Sequence, residues 1–160
     1  MNLKTILGLV VATTIVAEAA AQAPQTARDA DLIRTLVAQY QQSLNLGSVE
    51  QVLTLYAPDG VVMPADIPVQ NGALTIRQYF EQLFRETSFS LTFTLVEVTT
   101  SPDWGFARAN VTGTRTPKAS GKPDRVDNKA LLILRRNADG SWRIARYIFN
   151  RNPPPSSSRR

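Results

Sequence analysis

Apolar residues along the chain change their spacing once, near Glu86, and the change divides the sequence into a helical part and a stranded part. From residue 29 to residue 46 they recur at Leu32, Ile33, Leu36, Val37, Tyr40 and Leu44, three and four apart, which lays one stripe along a helix. Gly47 ends it. Ser48 then stands as a helix cap with Gln51 three residues on, a capping-box spacing, and Val49, Val52, Leu53 and Tyr56 form the buried side of a second helix. The two helices are expected to pack as a hairpin. Residues 57–60 read as a turn and 61–63 as a short strand, while Pro64, Pro68 and Gly72 confine the next segment to an irregular loop. A third helix is predicted over 75–85, because Ile76, Tyr79, Phe80, Leu83 and Phe84 again lie three and four apart.

Past Glu86 the period becomes two. Phe89, Leu91, Phe93 and Leu95 alternate with Ser88, Ser90, Thr92 and Thr94, the pattern of a strand with one buried face. A turn at 101–103 leads to a strand over 104–116, and the polar run 117–124, with its Gly and Pro, makes a hairpin loop. Strands over 125–136 and 141–150 come next, joined by the tight turn Asn137, Ala138, Asp139, Gly140. The order predicts an α+β domain over residues 29–152, a curved antiparallel sheet packed against three N-terminal helices. Residues 22–28 are expected to be flexible. Residues 153–160 are expected to be disordered, since Pro, Ser and Arg offer nothing to bury.

The N-terminus carries a different signal. Lys4 precedes an apolar run over 6–17 and a small-residue stretch over 18–23, the order of a secretory signal peptide. The run is about a dozen residues, short of the roughly 20 that a membrane span needs. Cleavage fits after Ala21 or Ala23, and the first is favoured because the second would place Pro24 immediately beyond the cut. A signal peptide over 1–21 leaves about 140 residues, enough for one core. An exported chain with no cysteine relies on packing rather than disulfides, which points to the bacterial periplasm first and to a secreted protein second.

The net charge of +5 raises the question of nucleic acid, but the positive residues are dispersed and no stretch interleaves basic with aromatic residues. Neither nucleic acid nor, once the signal is removed, a membrane is an expected partner. With no His and no Cys, triads, thiol nucleophiles and the usual zinc and haem ligands are excluded. No Asp-x-Asp-x-Asp spacing and no glycine-rich phosphate cradle is present, so no cofactor and no metal is expected.

Two stretches resemble a known family. Ala38, Gln39, Tyr40 through Asn45, Leu46, Gly47, Ser48 to Leu55, Tyr56, Ala57, Pro58, Asp59, Gly60 looks like the opening of SnoaL-like proteins of the nuclear transport factor 2-like superfamily. Asp139, Gly140, Ser141, Trp142, Arg143, Ile144 resembles the hairpin near the end of many such domains. The resemblance implies a cone-shaped sheet enclosing a largely apolar pocket, and a homodimer formed through the outer sheet face. Members of this superfamily include ketosteroid isomerases, dehydratases, epoxide hydrolases, cyclases and binding proteins, so fold does not fix function. The isomerases use an Asp base and an oxyanion hole of Tyr and protonated Asp. By resemblance Tyr40 falls on the tyrosine, but Pro64 stands at the base position and Leu132 at the second Asp.

The remaining candidates for catalysis are Tyr40, Asp66 and Asp127, and for ligand binding Tyr40, Arg108, Asp127, Trp142 and Asn150. Asp66 lies between prolines in a loop that resembles a pocket lip. Alternation puts Phe106, Arg108, Asn110 and Thr112 on one face of their strand; on the next, Asn128, Ala130, Leu132 and Leu134 oppose Asp127, Lys129, Leu131 and Ile133. Which face points inward stays open. Turned inward, Arg108 and Asp127 would hold a polar substrate group in a low-dielectric site; turned outward, they form a solvated cross-strand pair. Tyr40 has two readings as well, a core tyrosine or a pocket phenol. Trp142 is either pocket wall or dimer contact. The leading expectation is an exported domain that binds a small, mostly apolar molecule. The alternatives are a lyase, isomerase or hydrolase using a pocket Asp with Tyr40, and a structural dimerisation module.

Overall fold

A computed structural model describes the backbone of residues 7–153 and the side chains of residues 25–153. The expected signal peptide with its cleavage point, and the tail from residue 154 on, lie outside the residues whose side chains are described. The elements run α1 (Leu7–Leu46), α2 (Val49–Leu55), β1 (Tyr56–Met63), β2 (Gln70–Asn71), α3 (Gly72–Glu86), β3 (Thr87–Thr100), β4 (Trp104–Pro117), β5 (Asp124–Arg136) and β6 (Trp142–Arg151). The expected α+β architecture is present: three helices pack on one face of a curved, open sheet.

Helix α1 ends where the stripe ends, with Gly47 at φ +64° and its N–H donating to the Leu44 carbonyl. It starts earlier than the stripe does. Residues 25–28 are helical rather than loose, and Gln25 Nε2 donates to Asp29 Oδ1 one turn on, at 3.1 Å. Ser48 caps α2 as its spacing predicts, its hydroxyl accepting the Gln51 N–H at 3.4 Å. Helix α3 buries Ile76, Phe80 and Phe84 on one face, each contributing about 1.5–3 kcal/mol by leaving water.

The sheet order is β2-β1-β6-β5-β4-β3. The four long strands are antiparallel, but β1 runs parallel to β6, so the sheet is mixed. A strand arriving from the helical half is under no hairpin constraint and can dock on the last strand in either sense. β1 is also longer than its apolar core Val61–Met63 suggests, since the Pro58, Asp59, Gly60 stretch is absorbed as an irregularity between Tyr56 and Val61. The two-residue β2 pairs with β1 inside the predicted loop.

Gly105, Ala107, Ala109 and Val111 of β4, with Ala130, Leu132 and Leu134 of β5, face the helices. Small residues here let α1 lie close: a Cβ at Gly105 would sit 2.9 Å from Ile33 Cδ1. Further along β4, Gly113 has φ +136°, and a Cβ there would come within 2.0 Å of the Ser90 carbonyl oxygen. Only glycine permits this crossing of β4 on β3. The edge of β3 is covered by α1, where Asn45 accepts the Leu91 N–H at 2.8 Å and donates to its carbonyl at 2.9 Å. One turn back, Gln41 accepts the Phe93 N–H at 2.7 Å. Two amides four apart on a helix thus occupy backbone groups that would otherwise invite another strand.

Candidate functional site

The start of the domain part of α1 and the β5–β6 hairpin close one end of the cone. Asp29, on the apolar stripe one turn before Ile33, is 3% exposed and takes hydrogen bonds from Arg136, Gln25 and, at 3.5 Å, Trp142 Nε1. The Arg136 guanidinium lies over the Trp142 ring at 4.5 Å from its centroid. Burial works to raise the Asp29 pKa, but the hydrogen bonds and the Arg136 charge together outweigh it and hold the carboxyl below its ordinary value.

The opposite end is open. There α1 stops at Leu46 while the strands continue, and a cavity of about 650 Å³ lies between sheet and helices. Tyr40 and Leu44 of α1 and Tyr79, Phe80 and Leu83 of α3 wall one side. Phe89, Leu91, Val111, Val126, Tyr147 and Phe149 wall the other. Pro64, Ala65 and Ile67 form a lip. Arg115, Asp124, Arg125, Asp127 and Arg151 ring the mouth.

Three of the chain's four tyrosines, Tyr40, Tyr79 and Tyr147, line this space, and the fourth, Tyr56, is hydrogen-bonded to Tyr40. Tyr40 is 1% exposed and its hydroxyl shares a 3.1 Å hydrogen bond with that of Tyr56. Its ring packs edge-on against Tyr147 at 5.2 Å and Phe93 at 5.9 Å between centroids. Both readings of Tyr40 therefore hold at once, as core residue and as cavity wall. Burial raises the pKa of Tyr40, Tyr56 and Tyr147 well above the ordinary phenol value and pushes Tyr79 up to about 12, so all four remain protonated near neutrality. Tyr79, Tyr147 and the Asn128 amide make no side-chain hydrogen bond among the described residues. None of their polar atoms is sealed from open space. They are among the donors and acceptors that the wall offers to an occupant.

The other predicted site residues fall at several places in the fold. Arg108 faces away from the helices and pairs with Glu97 at 3.2 Å. Asn150 is exposed on the same outer side of β6. Trp142 points inward but at the closed end, beside Asp29. Asp66 is exposed at φ +62° beyond the lip and does not line the cavity. Asp127 reaches the mouth, where Asn152 Nδ2 donates to it at 2.8 Å and Arg125 at 3.1 Å. Pro64 lines the cavity and Leu132 is fully buried, so the two positions at which the resemblance would place carboxylates hold apolar side chains. Asp124 and Asp127 are the carboxylates that line the cavity, both at its rim and both paired with arginine.

Sequence reasoning overlooked Asp29, Asn128 and Arg151. For Asp29 the signal was a carboxylate on an apolar stripe; for Asn128, its share of a face with Ala130, Leu132 and Leu134. Arg151 succeeds Tyr147 and Phe149 at every second position, a pattern legible only once the irregularity near Ala145 is placed.

Known proteins share this geometry. The model of the SnoaL-like domain matches residues 37–147. A ketosteroid isomerase-like protein from Erwinia carotovora atroseptica is similar at 30% identity and TM-score 0.75, over 79% of this chain and 98% of that one. A conserved protein from Planctomyces limnophilus, 18% identical with TM-score 0.70 over 78% and 98% of the two chains, shares the fold. So does a nuclear transport factor 2-like protein of unknown function from Pseudomonas putida, 16% identical with TM-score 0.65 over 82% and 92%. No curated protein matches the chain.

Proposed function

The chain belongs to the SnoaL-like domain family, and on that premise we propose that it binds a small, mostly apolar molecule in the open end of its cone. The observation that carries this reading is the cavity of about 650 Å³, walled by aromatic and aliphatic side chains with a few hydroxyl and amide groups free to orient an occupant. That volume and composition are those of small-molecule sites. The reading is binding rather than proton-transfer catalysis, because among the described residues the cavity's carboxylates, Asp124 and Asp127, stand at the rim in arginine pairs and the interior wall offers phenols. Thermal-shift measurements across a panel of hydrophobic compounds, with native mass spectrometry of the protein as purified, test it. Saturable stabilisation that disappears in Val111→Trp, which fills the cavity, is expected. Absence of any stabilising compound and of any retained ligand would contradict it.

We further infer export and homodimerisation. Export rests on the charge, apolar-run and small-residue order of residues 1–23; N-terminal sequencing of the mature protein is expected to begin at Gln22. The dimer is supported by the outer sheet face, where half-buried Phe106, Leu131, Ile133 and Ile148 adjoin in register with no helix over them among the described residues. Light scattering is expected to give twice the chain mass, and Ile133→Asp to halve it.

A further inference from the structure

The mouth of the cavity is charged unevenly. Arg115 pairs with Asp124 at 3.4 Å and Arg125 with Asp127 at 3.1 Å. Arg151, the third arginine that lines the mouth, has no carboxylate partner among the described residues. Its backbone is nonetheless held. The next residue, Asn152, donates from its N–H to the Asp127 carbonyl and from its side chain to the Asp127 carboxylate, each at 2.8 Å, which ties the end of β6 to β5. Directly across the strand pair from Arg151 stands Asn128, whose side-chain amide has no protein partner among the described residues. Inward along the same strand come Phe149 and then Tyr147, stacked at 5.3 Å between centroids. From Tyr147 to Arg151 is four residues, or about 13 Å of strand.

Together with the reading of the cavity as a ligand site, on which it rests, this arrangement assigns a chemical class to the occupant: we propose that the ligand is an amphipathic carboxylate. Its anionic head sits between Arg151 and Asn128 at the mouth, and its apolar body, about 10 Å or more in length, lies along Phe149 toward Tyr147. A neutral apolar molecule would gain nothing from the exposed Arg151 charge at the mouth. A cationic one would be repelled. A carboxylate gains a charge-assisted hydrogen bond without displacing either existing ion pair.

Decanoate and 1-decanol differ in the head group alone, and calorimetric titration of both into the full mature protein tests the assignment. Decanoate is expected to bind roughly five- to tenfold more tightly than 1-decanol. Arg151→Gln is expected to bring the two affinities together by weakening decanoate alone, and Arg151→Lys to keep most of the difference. Lys129→Gln, which removes the same charge from the outer face of β5, is expected to leave the preference unchanged, with circular dichroism confirming the fold of each variant. Equal affinities in the unaltered protein, or a preference that survives Arg151→Gln, would overturn the head-group assignment while the cavity reading stands. A preference lost equally in Lys129→Gln would reduce it to net charge and overturn it as well. Failure of both compounds to bind would overturn the assignment and the cavity reading together.

Discussion

Tyr40 and Tyr56 form a buried pair whose energetics can be worked out from their surroundings. Tyr40 is 1% exposed, Tyr56 is 7% exposed, and the hydrogen bond between their hydroxyls is the one each phenol makes among the described residues. Tyr40→Phe preserves the ring contacts with Phe93 and Tyr147 and removes one oxygen, leaving the Tyr56 hydroxyl buried without its partner. An orphaned buried hydroxyl costs about 1–3 kcal/mol, more than the bond itself contributes net. Tyr56→Phe should cost a similar amount by orphaning Tyr40. The double variant removes both polar atoms together and should lie within about 1 kcal/mol of the parent, so that the two single costs exceed the double by a coupling of about 1–6 kcal/mol. Denaturant titrations of the four proteins measure the cycle. For a domain of this size each single variant should also melt roughly 3 to 10 °C lower. Single variants that cost nothing, or a double variant that costs the sum of the two, would refute the reasoning, because the pair would then be solvated or independent.

Other expectations rest on the same structure. Asp29→Ala strands the Arg136 guanidinium at the closed end and should cost about 2–4 kcal/mol in denaturant titrations, less than a fully buried pair because Arg136 keeps some solvent. Because the folded Asp29 pKa is lowered, its contribution is full above the unfolded value of 3.8 and lost as pH falls through the folded value. Removing Asp29 should therefore flatten the acid limb of the stability profile. The tyrosines act at the other limit. Their raised values favour the neutral phenol in the fold, so that stability is complete below an unfolded pKa of 10.0 and declines as pH rises through 10 toward the value of about 12 at Tyr79. Alkaline unfolding followed by tyrosinate absorbance should show cooperative ionisation rather than a titration at the free-phenol value. Gly113→Ala, which drives a methyl into the Ser90 carbonyl, should cost about 3 kcal/mol or more or abolish folding, read by circular dichroism and yield. Asn45→Ala should cost about 1–3 kcal/mol and, by baring the edge of β3, shift the protein toward aggregates in light scattering.

How far the sequence could be read depended on whether local pattern or distant contact decided each feature. The stripe of α1, the Ser48 cap and the alternation of β3 are local, and each appears where spacing placed it. The parallel docking of β1 on β6 depends on two segments far apart in the chain, and no local period encodes it. Facing was equally out of reach. Arg108 and Asp127 lie on strands whose two faces both carry apolar residues, because the outer face keeps Phe106, Leu131 and Ile133 half-buried as well. Contrast between the faces, which usually reveals the inner one, was therefore weak. The bulge near Ala145 then shifted the register of β6, so Trp142 and Tyr147 both point inward although they stand five residues apart. Asn150 falls outside for the same reason. Tyr40 was legible as a residue of both core and wall because its place on the helix stripe determines both.

Methyl resonances can separate the inside of the cone from its outside, so a titration with 1-decanol followed on the methyl groups asks whether the cone itself takes up an apolar molecule. Shifts are expected at Leu44, Val62, Leu83, Val111 and Val126, which line the cavity, with Leu131, Ile133 and Ile148 on the outer sheet face unmoved. Shifts confined to those outer residues, with the cavity methyls silent at saturation, would contradict binding inside the cone.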